Sequence, residues 1–218
     1  MNTALYNCIR KKYGKHASWA LWDGKNTGEW ADREYRQIIN SGRKLNPNIV
    51  MVGLNASADV SVTEEDLFSN FHDPKNPRIM DMLRKKRNTL GNARKLPYVF
   101  NGWKKYEGAY MTDIIKLDTI NEIDRKKLSS SADIMKYLRK HPEIWEKNIH
   151  SFWKELECIG ATKPLIIAFG NNVSVVLDGP GKKFKIKHPS RRRTIRIPHY
   201  SKWGNRESYR KEVEKILK

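Results

Sequence analysis

The order of apolar and polar stretches predicts an α/β protein, a three-layer α/β/α sandwich around a short, mainly parallel central sheet. Three observations predict it. The runs Ile49-Val50-Met51-Val52-Gly53-Leu54, Ala109 to Lys116 and Leu165-Ile166-Ile167-Ala168-Phe169 are nearly continuous in apolar residues, the pattern of strands covered on both faces. Several longer segments instead place apolar residues every three or four positions, the spacing of a helix that buries one stripe. Strand and helix therefore alternate, which implies parallel strands joined by helical crossovers with helices on both faces.

Residues 1–47 read as an N-terminal helical and aromatic extension packed on the main domain, and 48–218 as that domain. Leu5 with Ile9, and Tyr35 with Ile38 and Ile39, mark helices over 4–13 and 32–41. Between them lies Ser18-Trp19-Ala20-Leu21-Trp22, whose tryptophans are expected to pack against the domain, stacking on bases being the functional alternative. Asn46-Pro47-Asn48 is a turn into the first strand. That strand breaks at Gly53 before a polar residue, and in α/β sheets ligands gather at the carboxyl ends of strands, so Asn55 is the first candidate working residue.

A helix over about 76–87 has Ile79, Met82 and Leu83 on one face, and its closing run Arg84 to Arg87 complements the helix dipole. Residues 88–108, rich in Gly, Asn, Lys and aromatics, read as a long surface loop. The second strand, 109–116, carries Asp113 inside an apolar stretch, and a buried acid needs a reason. A helix is expected over 131–139, and Ile144, Trp145, Ile149, Phe152, Trp153 and Leu156 mark an amphipathic one. After the third strand come the turn Gly170-Asn171-Asn172 and a short helix through Val175 and Val176. Residues 184–187 and 194–197 read as a hairpin, and a closing helix has Tyr209, Val213 and Ile216 on one face.

Composition narrows the function. Forty-three Lys and Arg against 24 Asp and Glu give a formal charge of +19, which suits a polyanion and makes nucleic acid the leading partner. Residues 182–196 concentrate that charge without an acid among them. No apolar run approaches the ~20 residues of a membrane span, and the N-terminus lacks a signal peptide's apolar core, so a cytoplasmic location with no membrane association is expected. Cys8 and Cys158 cannot by themselves supply a disulfide framework, a four-cysteine zinc site or an iron–sulfur cluster. Neither a metal, a cofactor nor an obligatory protein partner is expected.

Gly53-Leu54-Asn55, Phe71 before Asp73-Pro74, Tyr110-Met111-Thr112-Asp113, Ala168-Phe169-Gly170 and the late Pro198-His199-Tyr200-Ser201, in this order and at strand ends, resemble the uracil-DNA glycosylase superfamily, its mismatch-specific branch most closely. The resemblance covers roughly residues 49 to 217. It implies a monofunctional DNA glycosylase that flips a nucleotide out of the duplex and hydrolyses its N-glycosidic bond through an oxocarbenium-like sugar, leaving an abasic site. Carried onto this chain, Asn55 positions the attacking water, and His199 stabilises charge on the departing base. Phe71 stacks on the extruded base, with Asp113, Tyr200 and Ser201 beside it. Trp203 falls where the family wedges the base stack, with Lys202 and Arg206 next to it. Arg191, Arg192 and Arg193 are expected on phosphates, whereas His188-Pro189-Ser190, which spells the late motif more literally, is expected to be a turn within the hairpin.

The departures from the family's pattern carry information. Ala56 and Tyr200 replace prolines beside the base, which alters the pocket's tight backbone. Asp113 stands where uracil-reading members carry an Asn. An Asn offers a donor and an acceptor to uracil, whereas a protonated Asp donates to a ring nitrogen and accepts from an exocyclic amine, a cytosine-like edge. Burial favours that protonated form. The expected substrate is therefore a modified cytosine, excised in defence against phage DNA that carries one. The alternatives are a uracil or thymine mismatch-repair glycosylase and a non-catalytic nucleic-acid-binding protein on the same fold.

Overall fold

The computed structural model describes residues 1–21, 40, 42, 44–55, 95–100, 102–116, 119–125, 127–128, 130–178, 193–200 and 205–218. The expected helices over 32–41 and 76–87, the stretch 184–187, and the candidate residues Phe71, Arg191, Arg192, Ser201, Lys202 and Trp203 lie wholly or almost wholly outside them.

Among the described residues, five strands form one sheet: β1 (Ala17–Trp19), β2 (Asn46–Asn55), β3 (Ala109–Ile115), β4 (Leu165–Phe169) and β5 (Arg193–Ile197). Their spatial order is β1-β3-β2-β4-β5. The last four run parallel, and β1 closes the edge antiparallel to β3. The mainly parallel sheet of the predicted α/β sandwich is thus present, with one addition. The aromatic stretch near the N-terminus enters the sheet: Trp19 pairs with Tyr110 and meets its ring edge-on at 4.8 Å.

Among the described residues the helices are α1 (Thr3–Tyr13), α2 (Lys95–Phe100), α3 (Glu122–Arg125), α4 (Ser131–Lys140), α5 (Pro142–Cys158), α6 (Asn171–Asp178) and α7 (Arg206–Leu217). Local chemistry fixes their starts. The Asn2 side chain accepts from the Leu5 N–H, Ser130 and Asp133 form a reciprocal capping box, Pro142 opens α5, and Asn205 accepts from the Ser208 N–H.

Strand alternation divides the core into two layers. Val50, Val52 and Leu54 of β2 face the layer built by α1, α4, α5 and α6. Ile49 and Met51 face the layer built by α2 and α7. The second layer corrects the expected surface loop over 88–108: Leu96, Val99 and Phe100 are buried in a short helix, followed by a 3₁₀ turn at Lys104–Tyr106. Pro97 sits within the first turn of α2, where a missing N–H costs no helical hydrogen bond.

The expected turn at 46–48 is instead the irregular start of β2 itself. Asn46 pairs with Ala109, the register shifts before Val50, and the Asn46 side chain accepts from the Asn48 N–H at 3.2 Å. Gly108 is obligatory beside it, because a Cβ there would fall 1.9 Å from the Lys44 carbonyl oxygen and its φ is +69°.

Candidate functional site at the carboxyl edge of the sheet

β2 is the first of the parallel strands in the chain, and the two that follow it, β3 and β4, lie on opposite sides of it. The connections therefore reverse direction between β2 and β4, and a crevice at the carboxyl ends of those strands is the usual ligand position in such sheets. Asn55 is the last residue of β2 there, with Ile115 as its Cα partner, two residues beyond the Gly53–Asp113 pair. On the other side of β2, β4 ends at Phe169, followed by Gly170, and β5 delivers Pro198, His199 and Tyr200. The register thus brings Asn55, Asp113, His199 and Tyr200 to one edge.

Asp113 is 3 % exposed, in a strand buried along its whole length. By strand alternation it lies on the α2–α7 side with Ala109 and Met111. Tyr200 packs on that side too. Its ring meets Phe169 edge-on at 5.8 Å and stacks on the His199 imidazole at 4.4 Å, with 23° between planes. Burial first, and the nearby Asp113 carboxylate second, push the Tyr200 phenol well above its ordinary value. It remains a protonated donor at neutral pH.

Three contacts hold the late segment in place. Gly170, with φ +89°, lets the chain pass so close that an added Cβ would lie 3.3 Å from the His199 Cβ, and its N–H donates to the Ile197 carbonyl at 2.8 Å. The Tyr209 hydroxyl donates to the Pro198 carbonyl at 3.0 Å. Finally, Lys95 Nζ donates to the Tyr200 carbonyl at 3.2 Å. Lys95 is only 5 % exposed, and burial pulls the pKa of its ammonium down. The sequence reading missed this lysine because it placed the residue in a surface loop.

Behind the site, on the α5 side of β3, lies a second polar cluster. Glu155 is fully buried and accepts from the Tyr110 and Thr112 hydroxyls, each at 2.7 Å. Lys116 Nζ lies 2.8 Å from the other carboxylate oxygen of Glu155. The same ammonium donates to Thr112 Oγ1 at 2.7 Å and to the Asp113 carbonyl at 2.5 Å. The Lys116 N–H in turn donates to the Asn148 side chain at 2.6 Å. The cluster ties the carboxyl end of β3 to α5.

The described basic residues are distributed less compactly. Arg193 opens β5 opposite Leu165, at the amino edge of the sheet. It lies four positions before Ile197, about 13 Å along the strand, so the structure does not bring it to the carboxyl edge. Arg206, the first residue of α7, lies over the Tyr98 ring at 4.5 Å, with Arg210 at 5.7 Å. Tyr98 also donates to Glu207. Arg196 donates to the Asn171 side chain at 2.8 Å, at the start of α6 beside the crevice. Among the described residues no three His, Cys, Asp or Glu side chains come together as a metal site, and no helix is long and apolar enough to cross a membrane.

A buried acid and an imidazole thus lie beside the phenol ring of Tyr200 at the carboxyl end of a parallel sheet. The chain matches no family model, no curated protein and no solved structure.

Proposed function

We propose that the chain is a DNA glycosylase that extrudes a base into the carboxyl-edge crevice and hydrolyses its N-glycosidic bond. The observation that carries this reading is the register of β2 and β3. It sets Asn55 and Asp113 on neighbouring strands at the edge where β4 and β5 deliver Gly170, His199 and Tyr200. These are the residues of the sequence resemblance, and the charge of +19 suits the DNA backbone.

In this reading the flipped base sits against Asp113 and Tyr200, with His199 beside the bond that breaks. Asn55 orients water toward the anomeric carbon. An amide is no strong base, so the rate rests on orientation and on hydrogen bonds to the departing base, and turnover is slow. A protonated Asp113 carboxyl reads a cytosine-type edge, which favours a modified cytosine over uracil and fits a role against phage DNA that carries one.

The test is an abasic-site assay on duplexes containing uracil, a G·T mismatch, cytosine and substituted cytosines, and on phage DNA with modified bases. Alkali-labile sites are expected from a substituted cytosine, with at least a ~100-fold loss of rate in Asn55→Ala. Tight binding with no abasic site from any substrate would replace this reading with the non-catalytic binder.

A further inference from the structure

The outer side of α5 carries a polar stripe that takes little part in packing. The buried side of the helix is built from Trp145, Ile149, Phe152, Trp153 and Leu156. Away from them, Glu143, Glu146, Lys147, His150, Ser151 and Lys154 recur at helical spacing along one line. Helix α1 runs beside that line and contributes Lys12 and Tyr13, and together the two helices form an open groove of about 540 Å³. Tyr13 is 6 % exposed and belongs to the groove's wall, whereas the three lysines, the two glutamates and His150 are exposed.

Three ammoniums thus line one groove. Lys12 Nζ lies over the Tyr13 ring at 5.0 Å. Among the described residues neither Lys147 nor Lys154 is paired with an acid, while Glu143 is 3.3 Å from His141 Nδ1. The two acids precede Lys147 along α5 and both helix lysines follow them, so the groove is polarised along its length. Its basic end attracts a row of anions and its acidic end repels them. Lys147 and Lys154 stand two helical turns apart, about 10 Å, close to the axial advance of three nucleotides in one DNA strand. Between them His150 and Ser151 supply hydrogen-bond donors.

Both walls are tied to the strand that carries Asp113. The His16 carbonyl, three residues after Tyr13, accepts from the Asp113 N–H at 3.2 Å. On α5, the Asn148 side chain accepts from the Lys116 N–H at 2.6 Å. The groove therefore lies on the outside of the helical layer that backs the candidate site.

We propose that the α1–α5 groove seats the phosphodiester backbone of DNA, as a contact separate from the candidate site. Its ammoniums neutralise phosphates and release their counterions, which positions the duplex without reading a base. An acidic peptide would also need apolar surface for its side chains, and Tyr13 is the one largely apolar residue in the lining. A row of lysines with donors between them matches repeated phosphates instead, on a chain whose formal charge is +19. The inference requires DNA as the partner but not base excision.

Lysine footprinting of the full wild-type chain tests it. Acetylation of individual lysines is followed by peptide mass spectrometry, with and without a saturating duplex of unmodified bases. Lys12, Lys147 and Lys154 are expected to react severalfold more slowly in the complex, while Lys104, Lys105 and Lys211, exposed on the α2–α7 side, keep their rates. A variant combining Lys12→Gln, Lys147→Gln and Lys154→Gln lowers the slope of log affinity against log salt by about 2–3 at any duplex sequence. A control combining Lys104→Gln, Lys105→Gln and Lys211→Gln removes the same charge and leaves the slope nearly unchanged. Equal rates for the free and DNA-saturated groove lysines, or an equal loss of slope in the two variants, overturns the inference. Protection by poly-glutamate and not by the duplex overturns it too and assigns the groove to an acidic protein. Excision of a base without protection of the groove removes the groove and leaves the glycosylase. Protection without excision of any base does the reverse.

Discussion

The ammonium of Lys116 lies 2.5 Å from the main-chain carbonyl oxygen of Asp113 and 2.8 Å from the carboxylate of the fully buried Glu155. One cation therefore anchors the strand residue that faces the candidate site while neutralising a carboxylate on the opposite side of the sheet. Attraction between two buried charges is strong, but so is the cost of taking them out of water, so the pair as a whole is a poor source of stability. Its loss in halves is a different matter.

Replacing Lys116 by Met leaves Glu155 buried without its cation, and the expected loss is about 3–5 kcal/mol of unfolding free energy. The double variant Lys116→Met, Glu155→Leu removes both charges and regains most of that loss. Urea unfolding of the three proteins measures it. Equal destabilisation in the single and double variants would show that the ion pair is not the reason Lys116 matters.

How much of this was legible in the sequence follows from length and locality. The three core strands announce themselves because a strand covered on both faces has nowhere to put a polar residue, and Asp113 stands out for the same reason. Helix α5 is equally plain, since 17 residues leave room for a full apolar stripe. By contrast α2 has six residues, too few to show a period, and its Lys and Pro imitate a loop. β1 has three residues, and its partner lies more than 90 positions away. The approach of Lys95 to Tyr200 spans 105 positions and that of Lys116 to Glu155 spans 39. No local pattern encodes such contacts, because the sheet order creates them.

Gly170 couples strand order to the site. A side chain there must adopt φ +89°, which L residues rarely do, and its Cβ would press on the His199 Cβ at 3.3 Å. Gly170→Ala is expected to cost about 1–2 kcal/mol, from the left-handed backbone alone. His199 also shifts, so excision falls by more than the change in folded fraction explains. A thermal melt and a single-turnover excision rate separate the two effects. Full activity per folded molecule would show that His199 tolerates the displacement.

The buried phenols set an alkaline limit on stability. Burial leads the causes that raise the pKa values of Tyr110, Tyr200 and Tyr209. Above the ordinary tyrosine pKa of ~10 the unfolded chain releases these protons while the folded chain keeps them. The folded state then binds more protons, so each tyrosine removes up to ~1.4 kcal/mol of stability per pH unit from that point upward. Below pH ~10 its contribution is fully present. Tyr209→Phe removes one such group, together with its hydrogen bond to Pro198, worth about 1 kcal/mol. The variant should be less stable at pH 8 and lose stability less steeply above pH 10. Parallel stability curves for the two proteins would show that the Tyr209 phenol titrates as freely in the folded state as in the unfolded one.

Base choice depends on Asp113 in the proposed reaction, and a single atom exchange tests it. Asp113→Asn replaces a carboxyl oxygen by an amide nitrogen, almost isosteric, and leaves the main-chain contacts to His16 and Lys116 intact. A protonated carboxyl donates to the ring nitrogen of a cytosine-type base while accepting from its exocyclic amine. An amide carries the same two functions, and held with its carbonyl toward a ring N–H and its NH₂ toward a carbonyl oxygen it reads uracil's edge and not cytosine's. Each mismatched edge leaves one buried polar group unsatisfied, at about 1–3 kcal/mol, or roughly a ten- to hundredfold change in rate. The variant should therefore gain uracil excision and lose activity on the substituted cytosine, with the ratio of the two rates moving by the product of both changes. If the variant gains no uracil activity and keeps the wild-type preference, Asp113 does not read the base, and selectivity must come from other residues at this edge.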